Sequence, residues 1–234
     1  MDITAMKSYS DKEFFIALCD IPYGIDVANM PYIKNVNTTV KQKNGNRISP
    51  FKNKKSKPYE NKDWDKQVPT QEYFDELRRI SKHQIIFGID YTNWTGVGTG
   101  RIKWDKGVAE GVSFNRYETA YCSLIDNEVE LPLLWSGMMQ AKSLEEPMTM
   151  QGNKKLNEER YHPCHKPVML YIKLIRDYGF IGCSIFDSHV GGGSSRIAAD
   201  KCECNFTGYE IDPTYFNDQE QRFLEYKKQY KLQF

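Results

Sequence analysis

The chain has 234 residues, 40% of them hydrophobic and 13% aromatic, which suits one α/β domain with a sizeable core rather than two full domains. A formal net charge of +1 gives no global basic field, so any nucleic-acid binding must rest on a local patch. No apolar stretch approaches the ~20 residues of a membrane span, and Met1-Asp2-Ile3-Thr4 has neither the basic region nor the apolar core of a signal peptide. A cytoplasmic protein with reduced thiols is expected.

Along the chain, short apolar strands alternate with helical patterns, which predicts a mostly parallel sheet covered on both faces. Strands are expected at 14–19, 84–89, 101–104, 117–123, 131–135, 183–187 and 206–211. Helices are expected at 70–81, 166–178, 194–201 and 213–229. Pro167 belongs in the first turn of the helix expected at 166–178. Asp212 and Pro213 read as N-cap and first residue of the last helix.

The first expected strand runs into Asp20-Ile21-Pro22-Tyr23. A carboxylate, a stiffened backbone and an aromatic ring at a strand end can grip a planar ring carrying an exocyclic amine. A plain strand-to-turn junction is the competing reading of those four residues alone. Residues 24–69 lose periodicity, and 41–57 hold seven basic residues with no acid: Lys41, Lys43, Arg47, Lys52, Lys54, Lys55 and Lys57. A loop of this length is either functional or a solvated excursion. The functional reading is a phosphate-gripping arm, with Phe51 and Tyr59 as stacking residues.

The second constellation is a strand ending in Asp187, a turn Ser188-His189-Val190-Gly191-Gly192-Gly193 and a helix from Ser194. Helix N–H groups and a glycine backbone allow close approach of a ligand. The next strand ends at Glu210, an acid that can accept from two ribose hydroxyls. Together these read as an adenosine-binding βαβ unit. A nicotinamide dinucleotide suits it less: the third glycine of that fingerprint is replaced by Arg196, and Asp187 would repel a pyrophosphate. An acid there suits the amino group and sulfonium of S-adenosylmethionine. His162-Pro163-Cys164-His165-Lys166-Pro167 precedes the helix leading into this unit and reads locally as a turn. None of the six cysteines is spaced C-x-x-C. Small buried thiols are favoured over a zinc site of His162, Cys164, His165, Cys202 and Cys204, so no metal is expected.

In this order, DIPY at 20–23, HPCHKP at 162–167, DSHVGGGSS at 187–195 and GYEID at 208–212 resemble the β-class amino-group DNA methyltransferases. WDKG at 104–107, YETA at 117–120 and LWSGMMQ at 134–140 look like short phage or prophage members of that class, so the resemblance covers nearly the whole chain. It implies a Rossmann-like methyltransferase sheet in permuted order. Residues 1–125 would be the catalytic half, with a basic loop at 30–66. A short variable segment would span 126–160, and 161–234 would be the cofactor-binding half. It implies transfer from S-adenosylmethionine to the N6 amine of a flipped adenine, with cytosine-N4 methylation, a non-catalytic DNA-binding or partner subunit, and RNA or protein substrates as alternatives. DNA, a second copy of the chain and a cognate restriction nuclease are the partners it brings in, in a bacterial or phage-infected cell.

The resemblance gives Asp20 and the Ile21 carbonyl the roles of paired amine acceptors, Pro22 that of fixing the turn, and Tyr23 that of stacking on the base. Asp187, His189, Gly191, Gly193 and Ser194 would hold the methionine end of the cofactor, Glu210 its ribose, and Lys166 and Pro167 would shape the pocket. Ile21 stands where the class has proline, His189 where phenylalanine is usual, and Gly192 where serine is common. Ile21 keeps the carbonyl and loosens the turn, so Ile21→Pro is the test of this position: a gain in turnover would support the carbonyl reading.

Overall fold

The structure is a computed structural model that describes residues 3–26, 65–111, 115–150, 152–162 and 164–231. The Lys and Arg of 41–57, with Phe51 and Tyr59, lie outside the described residues, as does Pro163.

A seven-stranded sheet forms the centre, in the order β5-β3-β4-β2-β1-β8-β9. Its strands are β1 (Phe14–Asp20), β2 (Ser81–Phe87), β3 (Arg101–Asp105), β4 (Tyr117–Cys122), β5 (Glu128–Pro132), β8 (Ser184–Asp187) and β9 (Asn205–Gly208). A two-stranded ribbon, β6 (Trp135–Ser136) and β7 (Met139–Gln140), stands apart. β1 pairs in parallel with β2 and β8, β8 with β9, and β3 with β5; β4 runs against β2 and β3. The mostly parallel α/β sheet expected from the sequence is therefore present, with one reversed strand.

Alternation along β1 distributes its side chains between two cores. Ile16 and Leu18 join Ile85, Phe87, Ile102 and Trp104 on one face. That face is covered by α3 (Val168–Tyr178) and α4 (Ser194–Lys201), through Leu170, Leu174 and Ala198. Ala17 and Cys19 join Ile86 and Phe186 on the other face, under α1 (Ile3–Lys7) and α2 (Gln71–Ile80). Burial on both faces is why the central strands read as unbroken apolar runs.

Several boundaries moved, and β9 ends at Gly208, so Glu210 lies two residues beyond the strand rather than at its end. The strand expected at 131–135 is split: β5 ends at Pro132, and Trp135 belongs to β6. β2 follows α2 without a loop, because Ser81 both caps the helix and opens the strand. Pro167 is the N-cap of α3 rather than part of its first turn. α5 (Pro213–Lys231) opens as expected, with Asp212 Oδ1 accepting from the N–H groups of Thr214 and Tyr215 at 2.9 and 3.2 Å. All six cysteines are free thiols. Among the described residues no cluster of His, Cys, Asp or Glu is arranged to hold a metal, and no helix is long and apolar enough to cross a membrane.

Candidate active site

β1 and β8 are sheet neighbours, so Asp20 and Asp187 emerge side by side at the carboxyl ends of parallel strands. This is where open α/β sheets place ligands. Beyond Asp20, the N–H of Ile21 donates to the Phe87 carbonyl at 3.3 Å and its side chain is 2% exposed. Ile21 is thus an anchoring core residue, and a proline there would remove a hydrogen bond, which argues against a gain in turnover for Ile21→Pro. Its carbonyl accepts no hydrogen bond from the described residues. The turn that follows is held by buried Asp65, whose Oδ1 accepts from the N–H groups of Tyr23 and Gly24 at 2.8 and 3.1 Å.

Tyr23 packs its ring on Tyr91, with centroids 4.7 Å apart and planes 15° from parallel. Gly88 makes this possible: it has φ +87°, and a Cβ there would lie 2.3 Å from Tyr23 Cε1. One face of Tyr23 is therefore already occupied, and a stacked base would use the other.

Lys166 enters the site from the turn before α3. Its ammonium lies 2.6 Å from Asp20 Oδ1 and 3.2 Å from Glu118 Oε2, and donates to the Tyr23 hydroxyl at 3.1 Å. The Tyr23 hydroxyl in turn donates to Asp20 Oδ1 at 3.2 Å. Asp20 Oδ2 has no hydrogen-bond partner among the described residues. Burial pushes the Asp20 carboxyl up from its ordinary value, and the Lys166 charge draws it back. Burial by itself would lower Lys166; Asp20 and Glu118 overcome this and hold it above its usual range.

The other end of the site is built around the glycine turn. Gly191 and Gly193 have φ +52° and +79°, left-handed geometry that suits glycine. Glu210 spans the turn: Oε2 accepts from the Gly191 N–H and Oε1 from the Asp212 N–H, both at 2.8 Å. Each oxygen keeps a lone pair for a further donor. Asp187 is 1% exposed and accepts from the His189 N–H at 2.9 Å and the Ser195 hydroxyl at 2.6 Å. Burial pushes it up to about 7. Burial also lowers His162 and His189 to about 3, so both rings are neutral.

Behind the turn sits Glu158. Its carboxylate lies 2.7 Å from Arg222 Nη2 and 2.8 Å from His165 Nε2, and accepts from the Val168 N–H at 3.0 Å and the Ser194 hydroxyl at 3.3 Å. Arg222 also donates to the Gly192 carbonyl. A Cβ on Gly192 would lie 2.8 Å from His165 Nδ1, so the class's serine is excluded here by packing. Burial opposes Glu158's charge, but His165 and Arg222 prevail and lower its pKa.

One cleft of about 960 Å³ joins the two ends. Asp20, Ile21, Pro22, Tyr23 and Lys166 line one part; His189, Gly191, Ser194 and Glu210 line the other. Asp187, Gly193 and Pro167 are not on its wall; Asp187 organises the turn from beneath, and Gly193 and Pro167 cap α4 and α3. Lys166 stands with the tetrapeptide rather than with the cofactor turn. Sequence reasoning did not single out Asp65, Glu118 (beyond its place in YETA), Glu158 or Ile211. Ile211 is the one with a readable signal: it follows Glu210, lines the cleft and is 67% exposed, an apolar side chain left for a ligand.

Parallel strands whose carboxyl ends open onto a glycine turn, a buried acidic strand end and the Asp20–Tyr23 tetrapeptide define a Rossmann-like α/β fold with one cleft between two strand ends. The sequence profile of the N6/N4 DNA methylase family matches residues 28–221, and the chain belongs to that family of DNA amino-methyltransferases. The match begins after Tyr23, so the tetrapeptide's place in the site rests on the geometry above. Among solved structures the chain is similar to the M1.HpyAVI–SAM complex, at 14% identity and a TM-score of 0.50, covering 94% of this chain and 92% of that one. A further match is PvuII DNA methyltransferase, described as cytosine-N4-specific, at 11% identity and a TM-score of 0.48, covering 93% and 82%. No curated protein matches the chain.

Proposed function

We propose that the chain methylates the N6 amine of an adenine flipped out of DNA, with S-adenosylmethionine as donor. The observation that carries this is the presence of two acceptors that take no hydrogen bond from the described residues, Asp20 Oδ2 and the Ile21 carbonyl, in the same cleft as the Glu210 turn. When bound, the cofactor supplies an electrophilic sulfonium methyl. The cleft suits it: Asp20, Asp65 and Glu210 line it against the single cation Lys166 among the described residues, and burial lowers all three of its histidines, His162, His165 and His189, which disfavours their charged forms. Glu210 keeps lone pairs for ribose hydroxyls, and Ile211 offers an apolar surface to the purine.

An adenine N6 lone pair is delocalised into its ring. Accepting hydrogen bonds from both N–H groups returns density to the nitrogen, and the fixed turn aims it. Asp20 serves as one acceptor and the Ile21 carbonyl as the other, while Pro22 and Asp65 hold the turn. The face of Tyr23 turned away from Tyr91 stacks on the base, a contact of ~1–3 kcal/mol. After transfer the product ammonium loses a proton to Asp20 Oδ2 or to water. Lys166 remains protonated throughout and keeps Asp20 oriented. His189, Gly191 and Ser194 form the wall for the methionine end, Asp187 and Gly193 support that wall from beneath, and Pro167 sets the start of α3. The basic residues of 41–57 supply the phosphate contacts.

Nucleosides from duplex DNA treated with the protein and S-adenosylmethionine, analysed by mass, should contain N6-methyladenine. N4-methylcytosine in its place would move the target to cytosine, whose amine is chemically alike. Absence of any methylated base would overturn the reading.

A further inference from the structure

Two of the motif segments, WDKG and YETA, contribute nothing to the cleft wall. Their charged residues nonetheless reach the site. Lys106, just after β3, lies 2.9 Å from Glu118 Oε1 on β4; Glu118 Oε2 lies 3.2 Å from Lys166, and Lys166 lies 2.6 Å from Asp20. Four charges of alternating sign run from the end of β3 to Asp20. Their side chains are 12%, 27%, 4% and 15% exposed in that order, so water screens them little.

The three protons of the Lys166 ammonium are matched by three acceptors: Asp20 Oδ1, the Tyr23 hydroxyl and Glu118 Oε2. An ammonium held by Asp20 alone would withdraw density from the carboxylate that must accept the amine. Glu118 shares that ammonium, and Lys106 sets how much negative charge Glu118 has left to offer. We propose that Glu118 and Lys106 are positioning residues that set how tightly Lys166 holds Asp20, and so how strongly Asp20 accepts the target amine. The functional part of this rests on the methyl-transfer reading above; the electrostatic part does not.

The groups facing Asp20 are Lys166, Tyr23, Glu118, Tyr171, Asp187 and Cys164. Burial raises Tyr23, Tyr171 and Cys164, which leaves them neutral across the pH range of catalysis. Asp187 titrates near 7, but its carboxylate is held by Ser195 and His189 and does not touch Lys166. Burial alone would raise Glu118; Lys166 and Lys106 instead bring it to about 2, so it is ionised wherever Asp20 is.

The test compares wild type, Glu118→Gln and Lys106→Met. The Asp20 carboxyl carbon is followed by NMR against pH, and single-turnover methyl transfer to DNA is measured over the same range. Asp20 must be ionised to accept, so activity falls as pH drops through its pKa. Glu118→Gln removes a nearby negative charge and hands Lys166 to Asp20. It should lower the Asp20 titration and the acid limb by about one pH unit, and cut the plateau rate about tenfold. Lys106→Met leaves Glu118 less neutralised and should move both the other way. Titrations unchanged in both variants, or moved in the same direction, would overturn the ladder whether or not the chain methylates DNA. Opposite titration shifts with an acid limb that stays put would overturn its link to the transfer step. Lys106 is at the outer end of the line, so its variant keeps the test alive if Glu118→Gln does not fold.

Discussion

At the β1 end of the cleft, charged side chains meet one another: Asp20, Lys166 and Glu118 form a largely buried line, and Asp20 Oδ2 takes no hydrogen bond from the described residues. At the β8–β9 end, backbone groups do the holding: Glu210 is fixed by two N–H groups, and Glu158 fixes the helix start at Val168 and, through Arg222, the Gly192 carbonyl. On the function proposed above, the difference follows from what each end must do. A developing charge on nitrogen calls for preorganised acceptors of tunable strength. A cofactor that is only bound calls for a rigid cradle, which hydrogen-bonded backbone provides with little reorganisation.

Variants can sharpen this division. Asp20→Ala removes an acceptor from the reacting amine and should lower the single-turnover transfer rate about a hundred- to a thousandfold. Glu158→Gln strips the charge that binds Arg222 and His165. It should cost about 1–3 kcal/mol of stability by chemical denaturation and weaken S-adenosylmethionine binding, while the bound enzyme keeps its transfer rate. Ile21→Pro deletes the N–H that donates to Phe87 and should destabilise by about 1 kcal/mol without raising turnover; faster turnover would restore the view that a stiffer tetrapeptide works better. Tyr91→Ala uncovers one face of Tyr23, a contact of about 0.5–1.5 kcal/mol, and should slow transfer severalfold with cofactor affinity unchanged.

How much of this the sequence disclosed depends on range. The strand carrying Asp20, the glycine turn and α4 were legible because each is a local pattern: an apolar run, a left-handed turn, a helix period. β5 was misplaced because the apolar run Leu131, Leu133, Leu134 and Trp135 outweighed the partly exposed strand Glu128–Pro132, which pairs with β3 at the sheet edge. The reversal of β4 left no mark, since a strand buried at its end reads alike in either direction. Lys166 was assigned to pocket shape because its partners, Asp20 and Glu118, are remote in the chain. Glu158 carries no motif, and only the fold brings His165, Ser194 and Arg222 around it.

The division of labour between the two ends is tested most directly by titrating S-adenosylmethionine into Asp20→Ala in a calorimeter beside the wild type, with single-turnover transfer measured on the same samples. The account predicts cofactor affinity within about threefold of wild type, under 0.7 kcal/mol, together with loss of transfer. Loss of cofactor binding in step with transfer, or transfer that survives the substitution, would contradict it.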